Sequence, residues 1–192
     1  LYRFHPMTEV PPNPSTAQMD LIFHLITSKR PLEEKMTLFW HMIFATGNSK
    51  VDSPPDMMIQ IEMLRAHSLG NYRSLLAEIS KSPAMLFWLD NNQNHKKALN
   101  ENWSRELLEL FSMGHGHYTE DDIKVAAQAF TGWTMKPKLP RSPYMRGTWE
   151  FEYHPEDHDD SEKVFLGNRG NLNGDDIIQI IIEHPATAQF IA

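Results

Sequence analysis

Apolar residues recur three and four positions apart through most of the chain, the spacing that lays one stripe along an α-helix. Starts and stops between the stripes are legible. Ser15 or Thr16 opens a helix to about Lys29, and Pro31 takes a first helical position ahead of "LEEKMTLFWHMIFAT", which runs to Gly47. Pro55 opens "DMMIQIEMLRAHSL", closed by Gly70. Asn71 then caps "YRSLLAEIS", whose stripe is Tyr72, Leu75, Leu76 and Ile79. Ser82 and Pro83 start "AMLFWL", and "DNNQNHKKAL" reads as a polar loop. Asn100 caps "ENWSRELLELF", which stops at Gly114, and Thr119 with Asp122 makes a capping-box-like start for "EDDIKVAAQAFTGW".

The period then changes. "KPKLPRSP" is a proline-rich, basic connector unsuited to a helix. In "TWEFEY", Trp149, Phe151 and Tyr153 alternate with Thr148, Glu150 and Glu152, the period of a strand, and "KVFLG" supplies a return strand after an acidic loop. Asn173 caps "GDDIIQIIIE", which His184 and Pro185 break. The expected fold is therefore mainly α: a multi-helix array in a single domain over residues 1–192, with one small β-hairpin inserted at about 143–167.

Length and composition sharpen this without redirecting it. At 192 residues the chain suits one well-packed domain, and 41% hydrophobic with 22% charged residues is the balance of a globular protein. A net charge of −7 with scattered Lys and Arg argues against a nucleic-acid partner. No apolar run approaches the roughly 20 residues of a membrane span. The absence of cysteine removes thiolate catalysis, disulfides and Cys-based metal sites. Neither "LYRFHPMTEV" nor "HPATAQFIA" has the character of a native terminus, so a fragment of a longer protein is expected.

Candidate chemistry sits in three places. On the helix after Asn100, apolar Leu110, Trp103, Leu107, Phe111 and Leu108 span an arc of about 160° at 100° per residue. Arg105 and Glu109 lie opposite, with Glu101 and Glu106 at the borders. Either this is a solvated face carrying a Glu101–Arg105 pair, or Glu101, Arg105 and Glu106 form a partly buried polar network, with catalysis as its further possibility. His41 lies on a helix apolar around most of its circumference, leaving only a seam of Glu34, Thr37, His41 and Ala45. Such a helix is expected to be central, and His41 is then a satisfied core histidine, a metal ligand or a general base. The acidic stretch "EFEYHPEDHDDSEK" holds His154, His158 and Asp159 among carboxylates, a weak candidate for a divalent metal whose spacing fits no calcium loop. His115 and His117 read as loop residues, His67 and His184 as helix-end residues, and Trp40, Trp88, Trp103 and Trp133 as core on helix stripes. There is no phosphate loop, nucleophile elbow or H-E-x-x-H helix.

The blocks "LFWHMIFAT", "NENWSRELLELFSMG", "YTEDDIKVAAQAFTGW", "HDDSEKVFLG" and "HPATAQFIA", in that order and spacing, resemble the bacterial domain-of-unknown-function family 1800 over nearly the whole chain. Trp103-Ser104 departs from the Tyr-Ala usual there, and Met42 from Asn. The resemblance implies a longer, exported or periplasmic bacterial protein whose gene neighbours a sulfatase- and alkaline-phosphatase-like companion. It implies no reaction and no catalytic residue. His158, Asp159 and Lys163 fall in one of its blocks, which favours a structural or ligand role for them over their neighbours. Two functions follow as expectations: a non-catalytic structural or partner-binding domain, or a metal-dependent hydrolase-like enzyme using a His and carboxylate cluster.

Overall fold

The computed structural model describes residues 13–138 and 148–192. Among them the helices are α1 (Pro14–Thr27), α2 (Pro31–Ile43), α3 (Asn48–Val51), α4 (Pro54–His67), α5 (Tyr72–Ser80), α6 (Pro83–Trp88), α7 (Asn102–Glu109), α8 (Glu120–Ala129), α9 (Gly174–Glu183) and α10 (Pro185–Ile191). The strands are β1 (Trp133–Pro137), β2 (Trp149–Tyr153), β3 (Lys163–Phe165) and β4 (Asn168–Gly170). The protein is mainly α with a small β insertion, as the periodicity predicts.

Most caps are where the sequence puts them. The Asn71 side chain accepts from Arg73 N–H, and complete capping boxes open α8 (Thr119 with Asp122) and α9 (Asn173 with Asp176). Helix α1 starts earlier than Ser15: Asn13 accepts from Thr16 N–H at 2.8 Å, and Pro14 needs no donor at the first position. Helix α7 starts at Asn102, because Asn100 Oδ1 takes the Asn102 N–H at 3.0 Å and turns the chain there. Helix α2 stops at Ile43 rather than running to Gly47, and a separate four-residue helix, α3, begins after Gly47.

The strands exist but pair differently from the expected hairpin. Strand β2 pairs antiparallel with β1, Trp133 opposite Tyr153 and Pro137 opposite Trp149, while β3 pairs with β4. Helix α8 ends at Ala129 rather than reaching Trp133, since Gly132 at φ +79° turns the chain and accepts His154 N–H at 2.8 Å. Trp133 is therefore core on a strand, not on a helix. Residues 139–147, including most of the proline-rich connector and the start of the expected insertion, lie outside the described residues.

One core joins the elements. Trp40 stacks with Phe44 and Tyr72, Phe44 meets Phe111, and Trp103 meets Phe111 and Phe130, which carries the aromatic contacts on to Trp133 and Phe151. Leu64, Leu76, Ile79, Leu107, Ile123 and Ile177 fill the space around them. Helix α4 lies between α2 and α5, and its buried Gln60 donates to Thr46 Oγ1 at 2.9 Å and accepts from Ser82 Oγ at 2.8 Å.

Candidate functional site

The α7 charges make a surface cluster. Arg105 reaches Glu101 Oε2 at 3.2 Å, as the i,i+4 spacing allows, and Glu120 of α8 at 2.8 Å, with the Arg105 side chain 38% exposed. Glu120 holds the guanidinium more firmly protonated than usual. Glu106 makes no ion pair with Arg105: burial raises its pKa, Glu109 adds to that, and the Arg105 charge opposes it. Glu109 meets His115 Nε2 at 3.0 Å.

His41 lies elsewhere, in a cleft of about 190 Å³ between α1, α2 and α4 whose walls include Leu21, Met58 and Ile61. Glu101, Arg105, Glu106 and His158 do not line it. Its Nδ1 is buried without a hydrogen bond, and burial lowers its pKa, so the ring is neutral at pH 7.

Helix α2 is not the central helix expected, because one side of it is left in solvent. Part of the polar seam faces inward, Glu34 and Thr37 being buried with Trp40 and Phe44 while Ala45 is exposed; Leu32, Phe39 and Met42 of the apolar arc are exposed as well, Met42 at 78%. Arg65 of α4 causes this. Its Nε donates to both Glu34 oxygens at 3.2 and 3.1 Å, and its Nη1 meets Glu62 at 2.5 Å. Burial opposes the Arg65 charge, but Glu62 and Glu34 outweigh it. A carboxylate with a buried cation to meet goes inside, and the apolar residues on the other side of the helix go out. Helix α1 likewise buries no residue and exposes Met19, Ile22, Phe23 and Ile26, one stripe at i, i+3, i+4 and i+7.

The histidines of the acidic stretch separate. His158 is buried, and its Nδ1–H donates to the Thr131 carbonyl at 3.0 Å while its ring packs edge-on against Tyr153. Thr131 Oγ1 accepts from Asp159 N–H at 2.8 Å. Burial would raise the Asp159 pKa, but Ser161, Lys163 and His158 hold it below the usual carboxylate range. Lys163, its side chain wholly buried, donates to the Asp159 and Ser161 carbonyls, and burial pushes its pKa down. At the other end of α8, Asp122 Oδ1 accepts from Leu166 N–H at 3.0 Å. Segment 158–166 is thus lashed to both ends of α8. His154 is instead a half-exposed residue paired with Glu152 at 2.8 Å, which raises its pKa. Among the described residues no three His, Asp or Glu side chains come together as a metal-holding group.

A larger cleft, about 650 Å³, opens where α3, α4, α6 and the β1–β2 sheet meet. Asp56, nearly fully buried, lies in its wall, with Ser53 Oγ–H donating to Oδ2 at 2.5 Å and Trp149 N–H to Oδ1 at 3.0 Å. Burial raises the Asp56 pKa, and these two bonds oppose the rise. Lys50 Nζ donates to Asp90 Oδ1 and to the Trp88 carbonyl, both at 2.8 Å. Asp52 and Asp90 both hold left-handed backbone, at φ +47° and +59°.

A family model described as "Protein of unknown function (DUF1800)" matches residues 10–192. The chain belongs to this family. No curated protein and no solved structure matches it. No helix among the described residues of this DUF1800 chain is long and apolar enough to cross a membrane.

Ser53 and Asp56 read as an S-x-x-D helix start, but Asp56 spends one oxygen on β2 instead of the helix end. In the supposed polar loop, Asn91 donates to the Trp133 carbonyl and Asn94 to the Ala127 carbonyl, both from buried positions. The only available signal was the density of Asn, a residue that satisfies stray backbone groups.

Proposed function

We propose that this chain is a non-catalytic partner-binding domain of an exported bacterial protein, and that its partner docks on the outward face of α1 and α2. One observation carries the reading: α2 buries Glu34 and Thr37 and leaves Leu32, Phe39 and Met42 in solvent. Scattered exposed apolar residues are ordinary, but a helix that buries Trp40 and Phe44 and leaves three further large apolar side chains in solvent gives up burial worth about 1.5–3 kcal/mol for each of them. An apolar partner surface recovers that energy. The engagement of Arg105 with Glu101 and Glu120, and of His158 with Thr131, supports the same reading, because these groups already have partners.

The partner to test first is the sulfatase-like companion expected beside genes of this family. The two full-length proteins are co-expressed and co-purified at several salt concentrations, with Met42→Asp and Ile26→Asp variants alongside. The expected result is a complex that persists in high salt and is lost in both variants, while circular dichroism and melting of the variants stay unchanged. No association at any salt, association indifferent to both substitutions, or binding only between copies of this chain would overturn the proposal.

A further inference from the structure

We infer that the cleft between α3, α4, α6 and the β1–β2 sheet is a binding site for a neutral saccharide of one or two rings. Its volume, about 650 Å³, falls in the range of small-molecule sites, roughly 300–1,000 Å³. The chemistry of its walls narrows the ligand.

Charge is the first criterion. The charged residues of the cleft are Lys50, Asp52 and Asp56, and each is already engaged within the protein. Lys50 Nζ is held by Asp90 and the Trp88 carbonyl, and both Asp56 oxygens accept protein hydrogen bonds, from Ser53 and from the Trp149 backbone. An anion would find its lysine neutralised, and a cation would find both carboxylates already engaged. Two other polar side chains in the wall take no part in a hydrogen bond among the described residues: the Thr134 hydroxyl of β1 and the Asn92 amide, whose Oδ1 is buried without a partner. They belong to adjoining elements, since the 3-10 turn Asn91–Gln93 packs on β1. A hydroxyl and an amide both donate and accept, which matches the hydroxyl groups of a neutral polyol.

The apolar wall supplies the second criterion. Pro83, Ala84 and Phe87 of α6 and Met135 and Pro137 of β1 stand beside Trp149, a residue that remains 39% exposed at the start of β2. A large, partly exposed indole beside polar groups offers a flat platform for the C–H face of a sugar ring, while its neighbours exclude water. A simple polyol has hydroxyls but no such face; an aliphatic ligand has the face but leaves Thr134 and Asn92 unpaired.

The test titrates the full chain with cellobiose, maltose, lactose and chitobiose, following intrinsic tryptophan fluorescence and saturation-transfer NMR, with glycerol as the control. At least one disaccharide is expected to give a saturable signal in the millimolar range, and glycerol none. Trp149→Ala should weaken that binding about tenfold or more, Trp149→Phe less, and Thr134→Val about fivefold. Circular dichroism and melting establish that each variant is folded. Trp149→Ala preserves the backbone N–H to Asp56, and Trp149→Phe and Thr134→Val serve as readouts should it fail to fold. No saturable signal from any of the four sugars at about 50 mM, well above millimolar affinity, overturns the inference. Binding that is equally strong in the Trp149 and Thr134 variants, or equally strong for glycerol, overturns it too.

Discussion

Removing the Arg65 guanidinium tests the argument that orients α2. The Glu34 side chain is 5% exposed and that of Arg65 8%, and both Glu34 oxygens accept from Arg65 Nε. In Arg65→Met most of the aliphatic stem survives, but Glu34 is left as a buried carboxylate without its cation. Breaking a buried pair from one side costs about 3–5 kcal/mol. For a chain of this length, about 2–4 °C per kcal/mol makes that a fall in Tm of roughly 6–20 °C. The opposite truncation should be milder. In Glu34→Ala, Arg65 keeps Glu62, a partner that is 59% exposed, so the loss falls nearer about 1–3 kcal/mol. Glu34→Leu combined with Arg65→Met removes both charges and should recover most of the stability. Arg105→Ala is the control: its partners sit at the surface, and the expected loss is at most about 1 kcal/mol. Urea melts of the unsubstituted protein and the four variants read these values. Should Arg65→Met lie within about 1 kcal/mol of Arg105→Ala, the buried pair does not set the orientation of α2, and the reasoning fails.

Two pH profiles should run in opposite senses. Burial raises the folded-state pKa of Asp56, so its contribution is present below the ordinary carboxyl value of about 3.9 and is lost as pH rises through the raised value; Asp56→Asn should flatten that decline in urea midpoints, and parallel curves would contradict it. Burial lowers the pKa of His41, so its contribution is complete above about pH 6.5 and is lost as pH falls through the lowered value; melts of His41→Gln should lack this acid-side loss. At Gly132, φ is +79° and an added Cβ would meet the His154 carbonyl oxygen at 2.6 Å, so Gly132→Ala should cost about 1–3 kcal/mol in a thermal melt, and a neutral result would mean that the β1–β2 start is not fixed by this turn.

Local grammar was legible and long-range pairing was not. Proline at first helical positions, the Asn71 and Asn173 caps and the Thr119–Asp122 box all follow from neighbours within four residues. The strand in "TWEFEY" was equally local, but its partner was not: β1 lies before the proline-rich connector, and no spacing rule selects Trp133 over Val164 as the residue to pair. The cleft was invisible for the same reason. Its lining comes from positions 50–56, 83–92, 134–137 and 149, and each stretch alone reads as a cap, a short helix, a loop or a strand.

Helix α2 shows why even a clear stripe has two readings. Periodicity assigns residues to faces, and hydrophobicity says which face prefers burial in an isolated helix. In the folded chain the choice depends on what the neighbouring helix offers. Helix α4 presents Arg65, itself buried, and a buried cation without a counter-ion is costlier than a few exposed methyl and phenyl groups. Glu34 must therefore turn inward, and Phe39 and Met42, displaced from it around the helix, turn outward. The same orientation turns His41 toward α1 and α4, where burial keeps its ring neutral. Fold and proposed function meet at this pair: the ion pair that holds α2 against α4 also places an apolar face in solvent, and a partner that covers the face stabilises the orientation the pair imposes.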